Sequence, residues 1–326
     1  MKLRVLIPIL AVIYGAVPLA LGNNNYIMST IVASLTIAGI ALAWALLGNL
    51  GGMVSFGHAA FFGVGSYISA LLTMEQGMPV FVAILLGGIG AAIASIAVLP
   101  ALRLSGPYFA LAILAYAHIF KVLATEFTSI TGGAGGLLGI PVLPTLFGYN
   151  FSSKVGSYLV ITTIVLIFAL IYSRIRGSYY GLALRAMHES EDATRVVGVH
   201  STFLKAMMLF LSAFMTGIIG AFNAHYISFL EPDYAFHSSW TMLPVVAAIF
   251  GGYRTISGPL VGAVVIYSAD QLFFKNFIPS GHQIILGVLL GAMILFSPDG
   301  LVPVVMKKLR WRRQPECCAP QTDTSC

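Results

Sequence analysis

Arg174, Arg176, Arg185, Glu189, Glu191, Asp192 and Arg195 crowd into one polar segment, residues 173–205, of a chain in which only 9% of residues are charged. No catalytic set accompanies them, so what they can do is electrostatic and mechanical. From Ala183 the small or apolar residues Ala183, Ala186, Met187, Ser190, Ala193, Thr194 and Val197 recur every three or four positions. That spacing predicts one amphipathic helix over 183–197 with the charges opposite the stripe. Gly198 then supplies its stop. Such a helix suits one of two uses. It can be a grip for a soluble protein partner, with Arg185, Ala186, Met187, Glu189, Asp192, Ala193, Arg195 and Gly198 as coupling residues, or it can lie on lipid headgroups.

A second set of polar residues, Ser55, His58, Tyr108, Tyr116, His118, Lys121, Asn223, His225 and Asp270, lies within or beside apolar runs. Polar groups at membrane depth are expensive and often functional, which makes Ser55, His58, Tyr108 and Tyr116 pathway candidates. The plainer reading has His58 and His118 neutral and hydrogen-bonded between helices, the two tyrosines packed or interfacial, and Lys121 and Asp270 near the outer boundary. The sequence contains no HExxH, no nucleophile elbow and no Gly-Lys dipeptide for a Walker loop. The chain therefore reads as a non-enzyme with no cofactor and no metal, and any ATP must be hydrolysed by another polypeptide.

These residues are positioned by a membrane scaffold. Hydrophobic residues make up 58% of the chain and its mean hydropathy is +0.93, far from the ~45–50% apolar share of soluble domains. A helix needs ~20 apolar residues to cross a core of ~30 Å. About ten runs qualify, roughly 5–22, 27–47, 56–74, 79–100, 106–125, 155–173, 203–224, 238–252, 258–274 and 283–300. The expected fold is all-α and polytopic, with some helices broken or re-entrant. Residues 1–22 also fit a signal peptide with small residues Ala20 and Gly22 at the cleavage positions. Gly48, Gly51 and Gly52 ahead of Ser55 suggest a broken helix over 48–58, and irregular backbone at that depth is tolerated only beside protein or a watery cavity. Small residues such as Gly65, Gly87, Gly88, Gly217 and Gly220 read mostly as helix packing. The longest outer loop, 126–154, carries the glycines Gly132, Gly133, Gly135 and Gly136.

Six stretches then occur in order: GNLGGMVSFGHAAFFGVGSY (48–67), RLSGPYFALAIL (103–114), TGGAGGL (131–137), GLALRAMHESEDATRVVGVHSTFLK (181–205), FGGYRTISGPLVGA (250–263) and SPDGLV (297–302). Together they resemble the membrane permease subunits of branched-chain amino acid ABC importers, the longer LivM subtype more than its shorter companion. The resemblance implies a permease domain over 1–305 with a basic, disordered cytoplasmic tail at 306–326, in the cytoplasmic membrane. It also implies a second homologous permease subunit, two ABC ATPase subunits docking on 181–205, and a substrate-binding protein. The lipid bilayer is the remaining partner, and nucleic acid is not one. Leu182 stands where the family often has Arg, and Gly52 where Gln is common. Urea or a short amide is the alternative substrate. An ion-coupled carrier would want paired intramembrane charges, for which Asp270 is thin support. Cys317, Cys318 and Cys326 lie in the tail, where a reducing cytoplasm disfavours disulfides.

Of the 17 Lys and Arg, only Lys121, Lys154 and Lys275 fall in the outer half or outside if the N-terminus is cytoplasmic and ten helices follow; the other fourteen lie inside. Positive residues mark the cytoplasmic side, so Asn150 and Ser280 are expected outside, with Glu189 and Cys317 inside. Single-cysteine labelling of intact cells, with the native tail cysteines replaced, checks this. An impermeant reagent reaching position 189, or missing position 280, overturns the topology.

Overall fold

The computed structural model describes residues 14–15, 17–22, 24–104, 106–146, 148–271 and scattered positions between 284 and 303. These residues form α1 (Asn25–Ala45), α2 (His58–Glu75), α3 (Val80–Ala94), α4 (Pro107–Glu126), α5 (Lys154–Arg176), α6 (Tyr179–Glu189), α7 (Glu191–Val196), α8 (Ser201–Ile227), α9 (Ser239–Gly251) and α10 (Ser257–Ala269). The all-α reading holds, apart from short antiparallel pairings of Leu137–Leu138 with Phe229–Leu230 and of Thr145–Leu146 with Tyr149–Asn150.

Among the described residues, five helices are long and apolar enough to cross a membrane: Asn25–Leu50, Val80–Arg103, Pro107–Glu126, Lys154–Arg176 and Ser201–Ile227. They correspond to five of the ten runs. The run at 238–252 becomes the 13-residue helix α9, about 20 Å long and too short to cross alone, and the run at 258–274 begins as α10 and passes out of the described residues after Gln271. The runs at 5–22 and 283–300 lie largely outside the described residues, as does the tail at 306–326.

Local chemistry sets the helix ends. The Asn24 side chain accepts from the backbone N–H of Tyr26 and Ile27, and Ser153 accepts from Gly156 at 3.0 Å, satisfying donors that the first turn leaves open. Pro100 replaces a helical donor, and α3 tightens into a 3₁₀ stretch over Ser95–Arg103. Pro107 opens α4, where a missing N–H costs nothing.

Packing is inside-out by the standards of a soluble domain. The most apolar helix, α3 with its extension, is only 39% buried, and α4 only 28%, whereas α2 hides His58, Ser66, Ser69 and Thr73 among Phe61 and Phe62. Apolar flanks face outward because lipid solvates them, and the polar helix is enclosed because lipid cannot solvate it. Around it, α2, α3 and α8 approach through glycines. A Cβ at Gly65 would overlap the backbone of Gly217, one at Gly87 would sit 2.6 Å from the Gly65 carbonyl, and one at Gly220 would overlap the Phe62 carbonyl. Gly220→Val is expected to destabilise by about 1–3 kcal/mol through overpacking. Gly135→Ala, whose added carbon meets nothing within 4 Å, is the neutral control. Thermal midpoints of the two purified variants in one detergent test this; equal midpoints would remove the seam as a packing constraint.

Candidate functional site

The expected break between the first two described spans is present. α1 widens into a π turn over Leu46–Leu50, residues 52–57 leave the helix, and α2 begins at His58. Its backbone is satisfied by side chains from elsewhere. Trp44 Nε1 donates to the Ser55 carbonyl at 2.9 Å, Ser55 Oγ accepts from Gly57 N–H at 3.3 Å, and Thr241 Oγ1 on α9 accepts from Ala59 N–H at 2.9 Å. Asn49 donates to the Tyr172 hydroxyl of α5 at 2.8 Å. Ser212 of α8 gives its proton to the Ala43 carbonyl at 2.9 Å, so its oxygen accepts from His58 Nε2 at 2.9 Å. His58 Nδ1 is then an acceptor without a partner among the described residues. Ser55 and His58 are fully buried here, while Tyr108 is 69% exposed on α4 and Tyr116 half-buried. The structure brings the first two candidates together and leaves the tyrosines apart.

The polar segment forms two helices where one was expected. Ser190 adopts extended backbone (φ −156°, ψ 107°), closing α6 and capping α7, whose Ala193 N–H it accepts at 3.3 Å. A serine cap followed by Glu191 and Asp192 in the first turn restarts the helix in a new direction. Gly198, at φ +88°, follows α7 as expected. Met187 turns into the protein's own core, whereas Ala186, Glu189, Asp192, Ala193 and Arg185 remain exposed. Ala183, Ala186, Ser190, Ala193, Thr194 and Val197 line an open groove of about 500 Å³, with Tyr179 and Leu182 at its edge.

α7 is tied to α8 by charge. Glu191 binds Arg195 at 2.8 Å and Lys205 at 2.7 Å, and Arg195 Nε donates to Ser201 Oγ at 2.9 Å. Between this corner and the broken helix lies a cavity of about 660 Å³, bounded by residues 51–54 and 56, the start of α4, Met187, His188, Glu191 and Lys205. Gly52 is left-handed (φ +66°) and lies under His188, whose Nδ1 would be 2.7 Å from any Cβ there. Three segments distant in sequence, from 48–67, 103–114 and 181–205, thus converge on one space.

At the opposite end, His225 joins Ser69 (2.8 Å) to the Pro141 carbonyl (2.7 Å), so it anchors the loop between α4 and α5. Lys121 pairs with Asp233, His118 is exposed on α4, and Asp270 is buried at the end of α10. Sequence reasoning missed Ser212, Thr241 and Tyr172. The available signal was a hydroxyl within an otherwise apolar helical run, repeated at Ser212 and Thr216.

Residues 26–298 match the family described as branched-chain amino acid transport system / permease component. The chain belongs to this family. It is similar to the high-affinity branched-chain amino acid transport system permease protein LivM of Salmonella typhimurium, with 27% identity over 296 residues, 83% of this chain and 68% of that one. The LivM of Methanocaldococcus jannaschii, described as probable, is 21% identical over 77% of this chain and 72% of its own. The LivH permease protein of Escherichia coli is 25% identical over 73% and 81%. No solved structure matches.

Burial alone would raise the Glu191 carboxyl, but hydrogen bonds from Lys205 and Ser201 and the charges of Lys205 and Arg195 hold it below the ordinary glutamate value. A depressed folded value means the pairing stabilises α7 above the unfolded glutamate value and is lost as pH falls through the folded one. Each pair is partly exposed and contributes no more than about 1 kcal/mol after screening. The protection factors of residues 190–199, with the intrinsic pH dependence of amide exchange divided out, should fall on acidification below the usual glutamate range. Glu191→Gln should exchange faster already at neutral pH and lose that acid step; an unchanged acid step in this variant would assign it to another group.

Proposed function

We propose that the chain is the transmembrane permease subunit of an ATP-driven importer, passing branched-chain amino acids from a binding protein through the cytoplasmic membrane. It pairs with a second homologous permease, and two ATPase subunits hydrolyse the ATP. The tail after residue 305 is cytoplasmic.

The observation that carries this reading is the groove of α6 and α7. A monomeric face that exposes Tyr179 at 77%, Leu182 at 65% and Val197 at 82% around a concave floor of alanines calls for a partner. A concave floor accepts a ridge from another protein, whereas an interfacial helix would present a convex apolar face to lipid. The rim charges Arg185, Glu189 and Asp192 then orient the docked ATPase, and closure of the motors moves α6 and α7. The few fixed charges within the long spans suit a net-neutral solute handed on by a selective binding protein, and the resemblance makes that solute leucine, isoleucine or valine.

Ala193→Glu places a carboxylate on the groove floor, where an unsolvated charge costs several kcal/mol. Uptake of leucine by the assembled transporter should fall at least tenfold with the subunit present at its normal level. Wild-type uptake should require ATP and the binding protein, and should survive collapse of the proton gradient at constant ATP. Normal uptake in Ala193→Glu would sink the docking role. Gradient-driven uptake without ATP would reject the importer reading, and ATP-driven uptake of urea but not leucine would reject only the substrate.

A further inference from the structure

We propose that the cavity between the broken helix and the α6–α7 corner is a binding site for the free zwitterionic amino acid on its way out of the protein. The proposal rests on the transport reading above and adds a place and a chemistry to it. The cavity, about 660 Å³, falls in the ~300–1,000 Å³ range of small-molecule sites, which are mostly apolar with a few convergent polar groups. Met53, Val54, Phe56, Phe109 and Leu111 supply apolar walls, and Glu191 and Lys205 supply opposite charges.

Lys205 Nζ uses one N–H on Glu191 Oε2 at 2.7 Å, leaving two of its three for a ligand carboxylate. Glu191 takes one bond from Arg195 and one from Lys205, on different oxygens, and a third from Ser201, which leaves one of its roughly four acceptor positions for a ligand ammonium. A zwitterion answers both charges at once. A simple amine or a simple acid answers one and leaves the pair unbalanced. The left-handed Gly52 brings bare backbone to the wall opposite, where a side chain would meet His188 and take up the space. Because Glu191 also ties α7 to α8, an occupied cavity and the seating of the coupling helices share one carboxylate.

The test uses the assembled transporter with Cys317, Cys318 and Cys326 replaced by serine. Val54→Cys and, independently, Leu111→Cys report on the cavity; Thr202→Cys, exposed at the same end but outside it, is the control. Thiol labelling rates are measured without ligand and with L-leucine, isopentylamine or 4-methylpentanoate, each at millimolar concentration. L-Leucine is expected to slow labelling at positions 54 and 111 several-fold and leave position 202 unchanged, with the amine and the acid ineffective. Rates unaffected by leucine at both cavity positions, in a transporter that still imports leucine with ATP, overturn the site without touching the transport reading. Equal slowing at position 202 also overturns it, by showing a global change and not occupancy. Protection by the amine or acid alone overturns the zwitterion assignment.

Discussion

A helix interrupted inside an apolar bundle exposes backbone donors and acceptors that neither lipid nor packed hydrocarbon can satisfy. Residues 52–57 impose that constraint on everything around them. Trp44 of α1 must turn its indole N–H back to Ser55, and Thr241 of α9 must reach the first turn of α2. His58 is then fixed by Ser212, and Ser212 by Ala43. α1, α2, α8 and α9 are joined through one irregular stretch. A second polar link, Ser69 to His225 at 2.8 Å, joins α2 and α8 away from this stretch.

The same irregularity makes room. Where the chain leaves the helix at Gly51 and Gly52 it withdraws side-chain volume, and the start of α4 and the α6–α7 corner border the resulting space. His188 resting on Gly52 makes the fit intolerant of a side chain on the opposite wall. Any side chain at position 52 would have to displace the imidazole.

Much of this was legible in the sequence because it is local. Apolar runs and their charged ends give α1, α3, α4, α5 and α8 almost directly, and the glycines at 48, 51 and 52 announce the break. The kink at Ser190 was hidden because the small residues keep their three- and four-residue spacing across it; periodicity does not register one extended residue. Its cue was the serine followed by two acids, a helix start set inside a helix pattern. Met187 was misplaced for the same reason, since a second helix axis turns a single stripe into two faces. Tyr108 is 69% exposed at the start of α4, a placement that only three-dimensional packing gives. Ser212 is ordinary by composition and matters only because His58 and Ala43 arrive beside it from other helices.

The length of α8 has a mechanical meaning. Its 27 residues span about 40 Å, from the corner where Lys205 and Ser201 grip α7 to the turn where Phe229–Leu230 pairs with the loop between α4 and α5. Interlocked with α2 and α3 along the glycine seam, it cannot slide or bend easily, so it behaves as a stiff lever arm. A tilt of about 5° at the α7 end displaces the far end by about 3–4 Å over that length, as much as a hydrogen bond is long. A nudge too small to unseat the corner is therefore large enough to break or make the pairing that holds that loop.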